Sequence, residues 1–253
     1  MFDKTGRNTD GSKVQRYSDG LQIIDGGRIE VEGIQFFDDF FNLANDSTNK
    51  YTTSEEGTSN ALDPVDAING VLQIDSGTAA DKVNSIASML NFSAARGVTA
   101  EFRIKTLTSD ADLMLFCGLT DAQTESTGEL PIDETATLVE GTADGIADDF
   151  AGFALHTEIN DKLYAMSCLA AAAPQSDDTG HEIVLLTWLK LRIELDTTGN
   201  AKFYVDDVLV ATHALAITAA DPLCLYFGTK ITDGSTAAFA QMDYWAAHQA
   251  RVV

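Results

Sequence analysis

Glu194 and Asp196 stand two apart, and Glu158 and Asp161 make a second acidic pair three apart. Alternate residues of a strand share a face, so Glu194 and Asp196 would project together. A facing pair of carboxylates is the machinery of glycoside hydrolysis. No further Glu completes the set, because Asp196 runs into Thr197, Thr198 and Gly199; the plainer role for these side chains is as solvent-facing acids. His156, His181, His213 and His248 are scattered, with none of the spacings that hold zinc. Each is expected at the surface or at a strand edge. A Ser-His-Asp set forms in space rather than in sequence and stays open, although no Gly-x-Ser-x-Gly elbow is present. No glycine-rich phosphate loop occurs either. Cys117, Cys168 and Cys224 lie in apolar runs, an odd set without short spacing that reads as buried free thiols. No catalytic residue and no cofactor is assigned. Asp144, Asp148 and Asp149 lack EF-hand spacing, so calcium rests on carboxylate supply alone and its ligands are left unassigned.

The elements that must position these groups are strands. Leu189, Leu191, Ile193 and Leu195 alternate with Lys190, Arg192, Glu194 and Asp196, giving one apolar and one charged face. Ala201, Phe203 and Val205 repeat the pattern against Lys202, Tyr204 and Asp206. Gly199 and Asn200 supply the turn between them, and Asp206 and Asp207 the next, into an apolar run at 208–212. This predicts a three-stranded antiparallel meander. Further strands are expected at 35–41, 71–75, 86–90, 99–106, 113–119, 150–155, 162–169, 182–186, 222–227 and 239–245. Many short strands without convincing helices make an all-β sandwich.

The order Trp188, Leu191, Ile193, a turn with Gly199, then Phe203, Tyr204, Val205, Asp206 and Leu209, Val210, Thr212 resembles the back half of concanavalin A-like (laminin G-like) jelly rolls. It is most similar to those in structural proteins of tailed bacteriophages. An apolar strand opened by Pro222 and a last strand carrying Met242, Asp243 and Tyr244 extend the resemblance, as does an opening strand with Asp38, Asp39 and Phe40. Asp207 departs from it, standing where such chains carry Gly. The resemblance implies a concanavalin A-like jelly roll and a noncatalytic virion protein, foremost a capsid decoration (cement) protein docked on the major capsid protein or another virion protein. It also implies assembly into homo-oligomers such as trimers. A carbohydrate-binding module of a phage tail or fibre is the first alternative, and an atypical glycan hydrolase the second. Lectin-like sandwiches of this kind also bind calcium through loop carboxylates. Trp188 and Trp245 are expected at the rim or core of the last strands rather than as sugar platforms.

Organisation and charge fit that reading. The 253 residues are expected to divide into an arm and hairpin at 1–33 and a jelly roll at 34–253. Residues 1–20 are polar and carry Lys4, Arg7, Lys13 and Arg16, which are expected to bind the partner from an extended arm that orders on docking. A hairpin is expected from 21–24 and 28–32 around Asp25, Gly26 and Gly27. No Lys or Arg occurs between Lys105 and Lys162, and the acidic stretch 121–149 is expected to be a solvated loop. A formal charge of −23 speaks against nucleic-acid binding. No run suits a membrane span or signal peptide, so synthesis in a host cytoplasm and residence in the virion are expected.

Overall fold

The computed structural model describes residues 13–16, 22–25, 33–40, 51–55, 61–65, 70–76, 82–107, 113–123, 130–132, 147–157, 160–231 and 237–250. β1 (Lys13–Arg16) and β2 (Gln22–Asp25) pair antiparallel as a two-stranded ribbon. A seven-stranded sheet runs β12 (Gln175–Glu182), β11 (Asn160–Cys168), β10 (Phe150–His156), β9 (Leu113–Thr120), β16 (Cys224–Ile231), β7 (Lys82–Ser88) and β4 (Tyr51–Glu55). The second sheet runs β15 (Val208–His213), β14 (Ala201–Val205), β13 (Leu189–Leu195), β8 (Val98–Thr106), β17 (Phe239–Ala250), β6 (Val71–Asp75) and β5 (Ala61–Val65). An eighth strand, β3 (Gly33–Asp38), joins it through β17. All these pairings are antiparallel, and one 3₁₀ turn, Ala94–Arg96, is the helical content among the described residues. The architecture is a concanavalin A-like jelly-roll sandwich.

Alternation builds the layer between the sheets. Val98, Ala100, Phe102 and Ile104 of β8 are buried, as are Leu191, Ile193 and Leu195 of β13 and Phe203 and Val205 of β14. They meet Leu113, Leu115, Cys117 and Leu119 of β9, Phe153 and Leu155 of β10, and Leu225 and Phe227 of β16. Phe153 and Phe203 touch edge to face across the gap, with centroids 5.6 Å apart. Burying one such ring contributes about 1.5–3 kcal/mol. At the far end Trp245 is fully buried among Phe36, Phe40 and Tyr51.

The meander at β13–β15 lies where alternation predicts it. At the second turn Asp206 (φ 47°) and Asp207 (φ 68°) both take left-handed backbone. That requirement explains the glycine preference of this turn; here Asp206 Oδ1 accepts from the Lys190 backbone N–H (3.0 Å), and Asp207 pairs with Lys190 Nζ (2.6 Å).

Three expectations need correction. Lys13 and Arg16, expected in an extended arm, lie in β1, which pairs with β2; Lys4, Arg7 and the 28–32 half of the expected hairpin lie outside the described residues. The register sets Lys13 opposite Asp25, an opposite-charge position that a hydrophobicity pattern does not register. Of the strand expected at 182–186, Glu182 closes β12 and the rest is a loop with Val184 and Leu186 exposed. The strand in that region is the polar β12, an edge whose backbone pairs with β11 without needing an apolar face. Finally, β4 and β5 were not expected.

Truncation should separate the two sides of β14. Phe203→Ala should cost about 2–5 kcal/mol of unfolding free energy, the range for large-to-small core changes. Lys202→Ala, on the exposed face, should stay within about 0.5 kcal/mol. Urea unfolding followed by tryptophan fluorescence measures both.

Candidate functional site

The outer face of the seven-stranded sheet is not open. β9, β10 and β16 are buried along their whole lengths, so the face turned from the other sheet is covered as well. Met114, Phe116, Phe150, Tyr164, Met166 and Tyr226 form a second core there. Leu130, Ile132 and Ala147, from the stretch expected to be solvated, belong to it. The acids of 121–149 hid these three apolar residues from a composition reading. Glycines make the room: a Cβ at Gly152 would stand 2.4 Å from the Phe116 ring, and one at Gly228 would stand 3.0 Å from Leu130.

At the edge of this cover, Asp149 is buried and its Oδ1 accepts from the backbone N–H of Thr218. Burial, with Asp149 and Asp148 nearby, raises the Asp121 carboxyl above its ordinary value. Asp221 is raised as well, by desolvation and by Asp149. Among the described residues no three His, Cys, Asp or Glu side chains are arranged to hold a metal ion.

The outer face of the eight-stranded sheet carries the paired acids. Glu194 accepts from Arg192 and from Tyr204 Oη (2.9 Å), while Arg192 lies 4.0 Å from the Tyr204 ring centre. Glu101 accepts from Tyr244 Oη at 2.6 Å, and Arg103 pairs with Asp243. Trp188, half-buried, faces Arg103 (4.9 Å) and Lys105 (4.4 Å). Asp196 is consumed by its turn: Oδ1 accepts from Thr198 N, Thr198 Oγ1 and Asn200 N, and Oδ2 from Asn200 Nδ2. The Thr198 and Asn200 side chains hold its carboxyl well below the usual range. Glu194 thus belongs to an ion-pair lattice and Asp196 to a turn. A groove of about 610 Å³ runs beside them, lined by Thr99, Glu194, Asn200, Lys202 and Thr212 among others.

The structure also assembles a Ser-His-Asp set. His213 Nδ1 shares a hydrogen bond with Ser167 Oγ at 2.7 Å, and Nε2 lies 3.4 Å from Asp177 Oδ2. Ser167 points between the sheets and is fully buried, so no substrate carbonyl can reach it. The set joins the two sheets along their β11–β12 and β15 margins, with the His213 ring 4.8 Å from Phe203. Gln175 Nε2 adds a bond to the Ala214 carbonyl (2.9 Å). His213 and His156 are therefore interior residues rather than surface ones, although His213 does lie in the edge strand β15, whereas His248 is exposed. No local motif marks Ser167 or Asp177; only the inward parity of β11 hints at the first. All three cysteines are buried and free, and burial pushes the Cys168 thiol up to about 11.

No family model matches the chain, and no curated protein matches it in sequence. Solved structures match it in fold. A protein of unknown function from Shewanella oneidensis MR-1 aligns with a TM-score of 0.57 and 16% identity, over 89% of this chain and 92% of that one. A Bacillus licheniformis β-glucanase gives 0.57 and 13%, over 86% and 98%. The metal-free carbohydrate recognition domain of Emp46p gives 0.56 and 10%, over 85% and 95%. At such identities the likeness establishes the concanavalin A-like sandwich and nothing about activity.

Two outcomes follow from these contacts. Gly152→Ala should destabilise by about 1–3 kcal/mol, because the Phe116 ring must move within a packed layer; chemical denaturation reads this. Burial holds the His213 pKa below its ordinary 6.5, against an opposing pull from Asp177. The fold therefore favours the neutral ring. Its contribution is complete above about pH 6.5 and is lost as pH falls from there towards the depressed value. Between pH 7.5 and 5, the melting temperature should fall more for the native chain than for His213→Gln.

Proposed function

We propose that this chain is a noncatalytic structural β-sandwich, a virion component of a tailed phage that decorates the capsid shell. One observation carries the noncatalytic half: the broad face of the seven-stranded sheet is filled by its own aromatic and methionine side chains and capped by Leu130 and Ile132. A polymer cleft has no room there, and the paired acids of the other sheet are engaged with Arg192, Tyr204, Thr198 and Asn200. The phage half rests on the sequence resemblance, whose residues build β13 to β17. A shell-binding protein needs a rigid body and a docking surface, not a pocketed nucleophile. In this reading the basic residues of the N-terminal stretch, Lys13 and Arg16 in the ribbon with Lys4 and Arg7 before it, meet the partner. Self-association into trimers would place several copies on one symmetry point.

A carbohydrate-binding role is the second reading, favoured by the groove beside Glu194 and Lys202, where charged groups and hydroxyls that suit sugar hydroxyls stand among apolar walls. Immunogold labelling with antibody to the purified chain separates the two readings. Labelled shells on intact phage particles are expected, together with no retention on a glycan array and no release of reducing ends from β-glucans. Unlabelled particles would overturn the decoration role, and array binding lost on Lys202→Ala would establish the second reading.

A further inference from the structure

A second cavity, of about 230 Å³, opens at the end of the sandwich where β8, β9, β10 and β11 terminate. Its walls are Leu113, Leu155, Ile183 and Leu185, and its polar groups come from Thr106, Thr157 and Asp161. Thr106 is 2% exposed and its Oγ1 has no hydrogen-bond partner. A buried hydroxyl without a partner costs about 1–3 kcal/mol relative to one that has it, so the cavity holds a standing demand for a polar group. Asp161 lines the cavity from the irregular stretch of β11, where the pairing jumps from Leu155–Leu163 to His156–Asn160. Its carbonyl accepts from Ile183 N at 2.8 Å, its side chain is exposed, and no cation among the described residues pairs with it. Around the mouth, Val184, Leu185 and Leu186 present an apolar lip, with Leu186 in left-handed backbone (φ 61°) and its N–H bonded to the Thr106 carbonyl.

We infer that this cavity binds a primary alkylammonium group on an aliphatic stem. The walls take methylene groups, whose burial contributes about 0.8 kcal/mol each. The Asp161 carboxylate takes the ammonium at the solvated mouth, where the cation keeps part of its water and avoids the cost of full burial. A second nitrogen, or a water carried in with the ligand, can meet Thr106 Oγ1. The space, equal to about eight waters at 30 Å³ each, admits a chain of five carbons. Anionic ligands are refused by Asp161 and by the net charge of −23. The chemistry is shared by free alkylamines and by the lysine side chain of another protein, and it stands apart from the proposed virion role.

Titration of the whole chain with n-pentylamine, 1-pentanol and pentanoate tests it, read by methyl NMR shifts at Leu113 and Leu155. The amine should bind about two- to fivefold more tightly than the alcohol, the worth of one solvated ion pair, and pentanoate should not bind. Asp161→Asn should bring amine and alcohol to equal affinity while leaving the melting temperature near that of the native chain. Equal binding of amine and alcohol to the native protein would overturn the inference. So would unchanged amine affinity in Asp161→Asn, or shifts confined to methyls elsewhere. N-acetyl-lysine methylamide assigns the source: binding at an affinity near that of pentylamine supports a lysine side chain, and failure to bind alongside a positive pentylamine result supports a free amine.

Discussion

A sheet whose middle strands are apolar on both sides must be covered twice, and most of this molecule follows from that requirement. β9 and β16 carry Leu115, Leu119, Leu225 and Phe227 towards one layer and Met114, Phe116 and Tyr226 towards the other. The eight-stranded sheet supplies the first cover. The second comes from the chain's own connection between β9 and β10, which lays Leu130 and Ile132 over the aromatic face. Water would otherwise meet a broad apolar patch, the kind that drives association. The same cover buries Met114, Phe116 and Tyr226 on the face turned from the other sheet.

Much of the architecture was legible because alternation is a property of two or three adjacent residues. Phe203 and Val205 against Lys202 and Tyr204 determine a face without any tertiary knowledge. β9 was legible in another way, as an unbroken apolar run, which signals burial on both sides. What such patterns miss are elements defined by partners. β12 is polar and held by backbone pairing, so its residues resemble a loop, while Ile183, Val184, Leu185 and Leu186 resemble a strand and are not one. Leu130 and Ile132 are too few to stand out among the surrounding acids. His213 and Ser167 are 46 residues apart and meet only because the sheets close upon each other. The site followed the same rule only in part: Glu194 and Asp196, which sequence spacing singled out, proved to be committed, whereas Asp161 is exposed, and the unsatisfied Thr106 hydroxyl carries no sequence mark at all.

The charge of the chain is distributed so that its sheets do not suffer from it. On the exposed sheet, Glu101, Glu194 and Asp243 are answered by Tyr244, Tyr204, Arg192 and Arg103. Each pair at the surface contributes little by itself. Their number matters because they turn a polar face into a mutually compensated surface that neither collapses nor repels itself. The excess negative charge resides largely elsewhere, in the stretch between Lys105 and Lys162 and in the turns.

β17 has a mechanical consequence. It pairs with β8 along one side and with β6 and then β3 along the other, over twelve residues. Antiparallel hydrogen bonds lie across the strand axis, so tension along β17 loads them together in shear, where a peeling force would break them one after another. β15, a terminal strand paired on one side to β14, lacks that protection. Pulled in line with its spine the sandwich resists as a unit, and pried at the β15 margin it opens like a book whose clasp is His213.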